Sequence, residues 1–160
     1  RRTGSGRIQV LIANHSGNVM TRVDFHSKVP DKLLYACRLV RKARSADMRV
    51  VVFTQDRTQL DALDEALWTF SEQDFLPHVM AGDALAAQTP VILTDDADAV
   101  LPHHQILINL SGETPAHFAR FERLFEVIST DEDDLAAGRE RYRQYQQRGY
   151  PLTHFVAEKT

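Results

Sequence analysis

The residues best suited to bind a ligand lie near the C-terminus, in the segment RERYRQYQQRGY at 139–150. If this segment is helical, one face carries Leu135, Arg139, Tyr142, Arg143 and Gln146, which are three or four residues apart. Guanidinium groups bind carboxylates and phosphates in a forked geometry, and a tyrosine ring packs against apolar groups. The pattern therefore predicts a surface for an acidic ligand that carries an aromatic group. A solvated helix face with local ion pairs would show the same pattern.

A second segment, LDEALWTFSEQDFLPHVMAGD at 63–83, places large aromatic residues where a predicted helix ends. Trp68 falls at the edge of the apolar stripe of that helix, and Phe75, Pro77 and His78 follow a polar stretch. Such residues form either a lid over the core or an exposed patch that binds a partner. Tryptophan and phenylalanine are enriched at binding hot spots, because they bury a large area at a small entropic cost. The residues alone leave both interpretations open.

Motifs of nucleotide chemistry are missing from the sequence. It contains neither GxGxxG nor GxxxxGK[ST], and the turn at 27–30 has no glycine to bring backbone amides around a phosphate. Asp95 and Asp96 end a predicted strand and resemble a magnesium site, but without a phosphate loop the sequence favours solvated strand-end carboxylates. Cys37 lies on the apolar stripe of a predicted helix, which favours a buried, inert thiol. We predict no catalytic residues and no metal site.

The elements that position these residues alternate between strands and helices. Continuous apolar runs rich in β-branched residues predict buried strands. The segment RVDFH at 22–26 is a further, shorter strand candidate. The predicted strands span residues 22–26, 48–55, 90–96 and 104–112. Helices are predicted to begin at Asp31, at Asp56, at Thr114–Pro115 and in the acidic run 131–134. The third of these helices rests on the spacing of Phe118, Phe121, Leu124, Phe125 and Ile128.

This alternation predicts the α/β class, with a single three-layer, Rossmann-like domain. We expect a mostly parallel sheet with helices on both faces and no phosphate-binding loop. A length of 160 residues favours one domain with a sizeable core.

The composition limits the classes of function. The formal net charge is −3, which argues against strong direct binding of nucleic acid through its phosphates. The single cysteine excludes a disulfide framework and favours a reducing, cytoplasmic setting. No apolar run approaches the roughly 20 residues that cross a bilayer, so we predict no membrane association.

The first residues of the chain are set apart from the predicted domain at 20–160. The stretch MTRVDFHSKV, which begins at Met20, reads like the natural start of a protein. We therefore expect residues 1–19 to be an extension foreign to the natural protein or the product of a start codon placed too early. A genuine extra strand over RIQVLIAN (7–14) is the alternative.

From Met20 to about residue 155, the chain resembles the chi subunit of bacterial DNA polymerase III, an accessory subunit attached to the clamp loader. The strongest match is LDEALWTFSEQDFLPH (63–78), because the family has Leu-Asp-x-x-Leu-Trp, a short polar stretch and then Phe-x-Pro-His. RERYRQYQQRGY matches the basic-aromatic helix of the family. TRVDFH, TPVIL and ILINLSGETPAHFARF occur in the expected order. The family has an α/β domain without a working phosphate site.

The resemblance implies two partners. One is the C-terminal tail of the single-stranded DNA-binding protein, which is acidic and ends in phenylalanine. The family binds this tail at the basic-aromatic helix, which assigns the role to Arg139, Tyr142 and Arg143, with Tyr150 as a neighbour.

The other implied partner is the psi subunit, which links chi to the clamp loader. The family binds psi around the tryptophan and phenylalanine of the first motif, here Trp68 and Phe75, with Pro77 and His78 shaping the loop. In some bacteria, a repair helicase resembling the XPD type competes for this surface.

The sequence departs from the family pattern near the tail site. The resemblance implies a lysine one turn before Arg139, which is replaced near Leu135, next to the acidic run 131–134. This change is expected to weaken tail binding, because one cation is lost and acids lie nearby. Arg143 stands where lysine is often found, which keeps the charge.

The resemblance therefore implies a non-catalytic accessory subunit of DNA polymerase III, without a cofactor. In DNA replication it would bridge the replicase to the single-stranded DNA-binding protein. One alternative is an accessory partner of an XPD-like repair helicase that uses the same surface. An alternative of another class is a nucleotide-binding hydrolase or transferase that uses Asp95 and Asp96.

Overall fold

A computed structural model of the protein describes residues 20–69 and 76–157. The prediction for residues 1–19 lies outside these ranges, and so does the position of Phe75 in the second predicted surface.

One sheet of seven strands forms the centre of the domain. The strands are β1 (Arg22–Val29), β2 (Val50–Phe53), β3 (His78–Met80), β4 (Val91–Thr94), β5 (Ile106–Asn109), β6 (Arg123–Ser129) and β7 (Leu152–Val156). Their order across the sheet is β3-β4-β2-β5-β6-β1-β7, and every strand pair in the described ranges is parallel. The predicted α/β class is confirmed, and the sheet is parallel throughout these ranges.

Helices cover both faces of the sheet, as predicted. They are α1 (Lys32–Ser45), α2 (Arg57–Thr69) and α3 (Glu132–Gln147). The side chain of Asp31 accepts a hydrogen bond from the backbone N–H of Leu34 and caps α1 as expected. Asp131 caps α3 in the same way, and Gly149, with φ of 81°, follows its end.

The two faces of the sheet bury separate apolar clusters. Val50 and Val52 of β2 point to the cluster that α1 and α2 cover, whereas Val51 and Phe53 point to the cluster that α3 covers. Because side chains alternate between the faces of a strand, a strand covered on both faces must be apolar at every position. This is why the strands read as continuous apolar runs rather than as alternating patterns.

The helix predicted from Thr114 and Pro115 to Ile128 is wrong. The stretch forms a 3₁₀ turn at Phe118–Arg120 and then strand β6. Its apolar residues fit helical spacing, but a strand with both faces covered satisfies the same spacing. β6 lies between β5 and β1, where it needs apolar side chains on both sides and backbone partners on both edges.

Strands β3 and β7 were not predicted from the sequence. They are the two edges of the sheet, and β3 has only three residues. The side chains of β7 are mostly exposed, so its sequence, LTHFV, lacks the apolar run that indicates a buried strand.

Candidate functional site

Helix α3 forms one wall of a surface groove with a volume of about 550 Å³. All the residues of the predicted helical face line this groove, namely Leu135, Arg139, Tyr142, Arg143 and Gln146. The opposite side comes from Phe25, Ser27 and Lys28 of β1 and from His154 of β7. The structure therefore places three of the predicted tail-binding residues, Arg139, Tyr142 and Arg143, around one cavity.

The floor of the groove is apolar and closely packed. Gly138 brings α3 so near to β6 that an added Cβ atom would lie 2.8 Å from Cδ1 of Ile128. The ring of Tyr142 meets the ring of Phe25 edge-on, with 4.9 Å between centroids. The half-buried tyrosine is thus held with its ring against the floor, which leaves an apolar surface between charged walls.

The rim of the groove is cationic. Arg139 is exposed and has no side-chain partner among residues 20–69 and 76–157. Arg143 is also exposed, and its Nη1 atom lies 3.0 Å from Oε2 of Glu140. An exposed pair of this kind contributes little to stability, so Arg143 can exchange partners at low cost. A ligand with carboxylates beside an apolar side chain matches this arrangement.

A buried polar network fixes the rotation of α3 against the sheet. Glu126 of β6 is fully buried, and its carboxylate accepts hydrogen bonds from Nε and Nη2 of Arg141 at 3.1 and 3.0 Å. Tyr145 Oη donates to the same carboxylate at 2.7 Å, and Asn109 Nδ2 donates at 2.9 Å. A third nitrogen of Arg141, Nη1, donates to the carbonyl oxygen of Gly112.

The network determines which face of α3 is presented to solvent. Arg141 and Tyr145 are one turn apart and both point into the fold, so Arg139, Tyr142 and Arg143 must point toward the groove.

Burial raises the pKa of Glu126. The charge of Arg141 and the hydrogen bonds that Arg141, Tyr145 and Asn109 donate to the carboxylate oppose that effect.

The buried pair of Arg141 and Glu126 was not predicted from the sequence. The available signal was Glu126 itself, a lone acid inside the apolar run LFEVIS. A buried carboxylate needs a paired cation, and Arg141, one turn before the inward-pointing Tyr145, was the available candidate.

The acidic run before the groove is partly neutralised within the fold. Asp134 Oδ2 lies 2.8 Å from Nζ of Lys32 and accepts a hydrogen bond from the backbone N–H of Ser129 at 2.7 Å. Burial acts to raise the pKa of Asp134, but these two partners outweigh it and hold the pKa below its usual range. Asp131 is occupied as the helix cap. Neither carboxylate lines the groove, so two of the acids lie outside it.

Tyr150, the fourth residue predicted for this site, does not line the groove. Its ring lies against Phe118 and Tyr145, with centroids 5.1 and 6.1 Å apart, in the cluster beneath α3. The structure thus separates Tyr150 from Arg139, Tyr142 and Arg143.

The second predicted surface is centred on Trp68, near the end of α2. Trp68 is 52% exposed, and its ring lies 4.1 Å from the ring of His78. Buried His78 is held in place because Nδ1 lies 2.8 Å from the carbonyl oxygen of Leu76 and Nε2 lies 3.0 Å from Oδ1 of Asp64. Pro77 is half-buried beside them. The tryptophan is therefore an exposed aromatic side chain on a fixed support.

The two surfaces lie far apart in the sheet. Trp68 belongs to α2, which packs on the face opposite to α3, and His78 belongs to the edge strand β3. The groove of α3 lies over β1 and β6, with β7 at the other edge.

The strand-end aspartates considered for nucleotide chemistry have structural partners. Asp95 Oδ2 lies 3.7 Å from Nη1 of Arg57, and Asp96 Oδ1 accepts a hydrogen bond from the backbone N–H of Asp98. Throughout the described ranges, no group of three or more His, Cys, Asp or Glu side chains is arranged to hold a metal ion. In the same ranges, no helix is long and apolar enough to span a bilayer.

The fold defines a parallel α/β domain, and comparisons with known proteins identify its family. A sequence model of the family described as "DNA polymerase III chi subunit, HolC" matches residues 20–153. The chain is 36% identical over 137 residues to DNA polymerase III subunit chi of Pseudomonas aeruginosa, an alignment that covers 83% of this chain and 94% of that protein.

More distant relatives have the same name. DNA polymerase III subunit chi of Haemophilus influenzae is 27% identical over 118 residues, which cover 74% of this chain and 82% of that protein. The Escherichia coli subunit is 26% identical over 116 residues, which cover 72% of this chain and 79% of that protein. The chain belongs to the DNA polymerase III chi subunit family and is an accessory subunit of that polymerase.

Proposed function

We propose that this chi subunit is a non-catalytic bridge between DNA polymerase III and the single-stranded DNA-binding protein. The groove of α3 binds the acidic C-terminal tail of that protein, and a separate surface holds the subunit in its assembly. Arg139, Tyr142 and Arg143 are the residues that we assign to tail binding.

The observation that carries the proposal is the combination of an apolar floor and a cationic rim in one groove. The terminal phenylalanine of the tail packs on the apolar floor formed by the contacting rings of Phe25 and Tyr142, and the tail carboxylates meet Arg139 and Arg143 on the rim. Charge-assisted hydrogen bonds from guanidinium groups are the strong type of polar contact for a carboxylate.

Each tail contact is weak, since the rim is exposed to solvent and screened by salt. Several tails tethered to one coated DNA strand raise the effective concentration at the groove without new contacts. Weak individual binding is therefore compatible with a stable bridge that also releases quickly.

The test is a titration of the protein with a labelled peptide that copies the acidic tail with its terminal phenylalanine. Arg139→Ala and Tyr142→Ala should each weaken binding by roughly five-fold or more, as expected at a small hot spot. Arg148→Ala is the matched control, because Arg148 is exposed just after the same helix but does not line the groove. A peptide without the phenylalanine should bind far more weakly. Equal affinities for the wild-type protein and both groove variants would refute the assignment.

We further propose that Trp68, together with Phe75, Pro77 and His78, binds the psi subunit or, in its place, an XPD-like repair helicase. Support comes from the exposure of Trp68 and from the fixed position of His78 beneath it. A large, rigid aromatic side chain on a fixed support gives binding energy at a small entropic cost.

Co-purification with each candidate partner tests this surface. Trp68→Ala should abolish capture of the true partner and leave binding of the tail peptide unchanged. Phe155→Ala is the control, because Phe155 is an exposed aromatic on the opposite edge strand. Capture of either partner by the Trp68 variant at the wild-type level would remove that partner from the proposal. Loss of tail binding as well would indicate unfolding.

A further inference from the structure

We infer that Lys28 supplies a cation to the tail groove from the wall opposite α3. The inference rests on the proposed binding of an acidic tail and adds a residue that determines how the tail carboxylates are held. Lys28 lies on β1 and lines the same groove as Arg139 and Arg143.

An irregularity in β1 places Lys28 in the groove. The pairing of β1 with β6 shifts between His26, which pairs with Val127, and Val29, which pairs with Ser129. β1 therefore has one extra residue there, as in a β-bulge, and such a residue changes the face to which the following side chains point.

The directions of the neighbouring side chains follow from this bulge. Phe25 belongs to the cluster under α3, and Val29 belongs to the cluster under α1. In a regular strand, positions 25 and 29 would point to the same face. The extra residue reverses the alternation, so Val29 enters the core under α1 and exposed Lys28 lines the groove on the side of α3.

The backbone of Lys28 is unusual for its residue type. Its φ is 57°, in the left-handed region that favours glycine, where the Cβ atom of a lysine makes the backbone conformation unfavourable. Strained backbone positions of this kind concentrate at functional sites. Among residues 20–69 and 76–157, no side-chain or backbone group pairs with the Lys28 ammonium. A glycine would adopt this backbone conformation at a lower cost, so the presence of a lysine at this position of β1 indicates a role for its side chain.

A cation on this wall complements those on α3. Arg139 and Arg143 project from the helix, and Leu135 lines the same groove with an apolar side chain. An extended acidic peptide lying in the groove then meets positive charge on both sides, with its apolar end on the floor.

Two substitutions of Lys28 separate binding from folding. Lys28→Gln removes the charge and keeps most of the side chain, whereas Lys28→Gly also relieves the positive φ. At low ionic strength, both should weaken binding of the acidic tail peptide by about two- to five-fold, the effect of one exposed ion contact. Lys28→Gly should do so with an unchanged or higher melting temperature, which a merely structural role would not produce.

Lys42→Gln is the matched control, because Lys42 is an exposed lysine of α1 that does not line the groove. The deficit of the Lys28 variants should shrink at high salt, and it should vanish for a peptide whose acids are replaced by asparagine. Wild-type affinity in both Lys28 variants, with tail binding otherwise intact, would overturn this inference alone. A wild-type protein that does not bind the tail would overturn the proposed function together with it.

Discussion

Replacing Arg141 by methionine should destabilise the domain by about 3–5 kcal/mol at neutral pH, because it leaves a buried carboxylate without its cation. Methionine keeps the apolar part of the side chain and removes the guanidinium group, so the charge and its hydrogen bonds are lost together. Arg141 is 3% exposed and Glu126 is fully buried, so solvent cannot replace the lost contacts without opening the fold.

The structure indicates how this magnitude arises. Arg141 donates two hydrogen bonds to Glu126 and one to the carbonyl oxygen of Gly112, and all three are lost in the variant. Tyr145 and Asn109 still donate to the carboxylate. They provide hydrogen bonds but no opposite charge, so the cost falls within the range for a broken buried pair rather than beyond it.

The destabilisation should depend on pH, and its sign follows from the pKa of Glu126. Burial raises this pKa in the folded state, so between the ordinary pKa of glutamate and the folded-state pKa the folded protein binds more protons than the unfolded chain. Stability therefore falls as pH rises through that range. Removing Arg141 removes a charge that opposes burial, so the folded pKa rises further. The variant therefore loses up to about 1.4 kcal/mol per pH unit relative to the wild-type protein between the wild-type folded pKa and the higher folded pKa of the variant. In acid the gap narrows to the cost of the lost hydrogen bonds, because Glu126 is then neutral in both proteins.

Urea unfolding followed by circular dichroism at a series of pH values gives the measurement. The double variant Arg141→Met with Glu126→Gln is the control, because a neutral amide needs no cation and should recover much of the stability. A pH-independent loss in Arg141→Met, or no recovery in the double variant, would refute the interpretation that the pair is held by charge.

Two further predictions follow from close packing. Gly138→Ala should cost about 1–3 kcal/mol, because its Cβ would lie 2.8 Å from Cδ1 of Ile128. The cost should shrink in an Ile128→Val background, which lacks that atom, and additive losses in a double-mutant cycle would contradict the contact. Cys37 is buried and burial raises its pKa to about 11, so a thiol reagent at pH 8 should label it only after unfolding. Rapid labelling of the native protein would show that the thiol is accessible.

Much of the fold could be predicted from local patterns. The caps at Asp31 and Asp131 and the apolar runs of β2, β4 and β5 identify their elements, because each signal is contained in a few neighbouring residues. β6 could not be recognised in this way. Its apolar residues satisfy helical and strand spacing equally, and only its position between β5 and β1 decides the matter.

The α3 side of the groove was predictable, and the opposite side was not. Arg139, Tyr142 and Arg143 share a helical face that can be recognised from spacing alone. Phe25 and Lys28 belong to a strand more than 100 residues earlier in the chain, so their part in the groove depends on strand order and on a bulge. Neither of these leaves a mark in the local sequence.

The place of β1 in the sheet has a consequence for synthesis of the chain. Its neighbours are β6 and β7, and Arg22 pairs with Arg123. At about 5–20 residues per second, the ribosome needs on the order of 5–20 s to add the residues between Arg22 and Arg123. During that time β1 has no partner strand. In contrast, β2 pairs with β4 and β5, and all three strands are synthesised before β6. The groove, which requires both β1 and α3, is thus among the last parts of the domain to assemble, and a nascent or truncated chain lacks the surface that we propose for the tail.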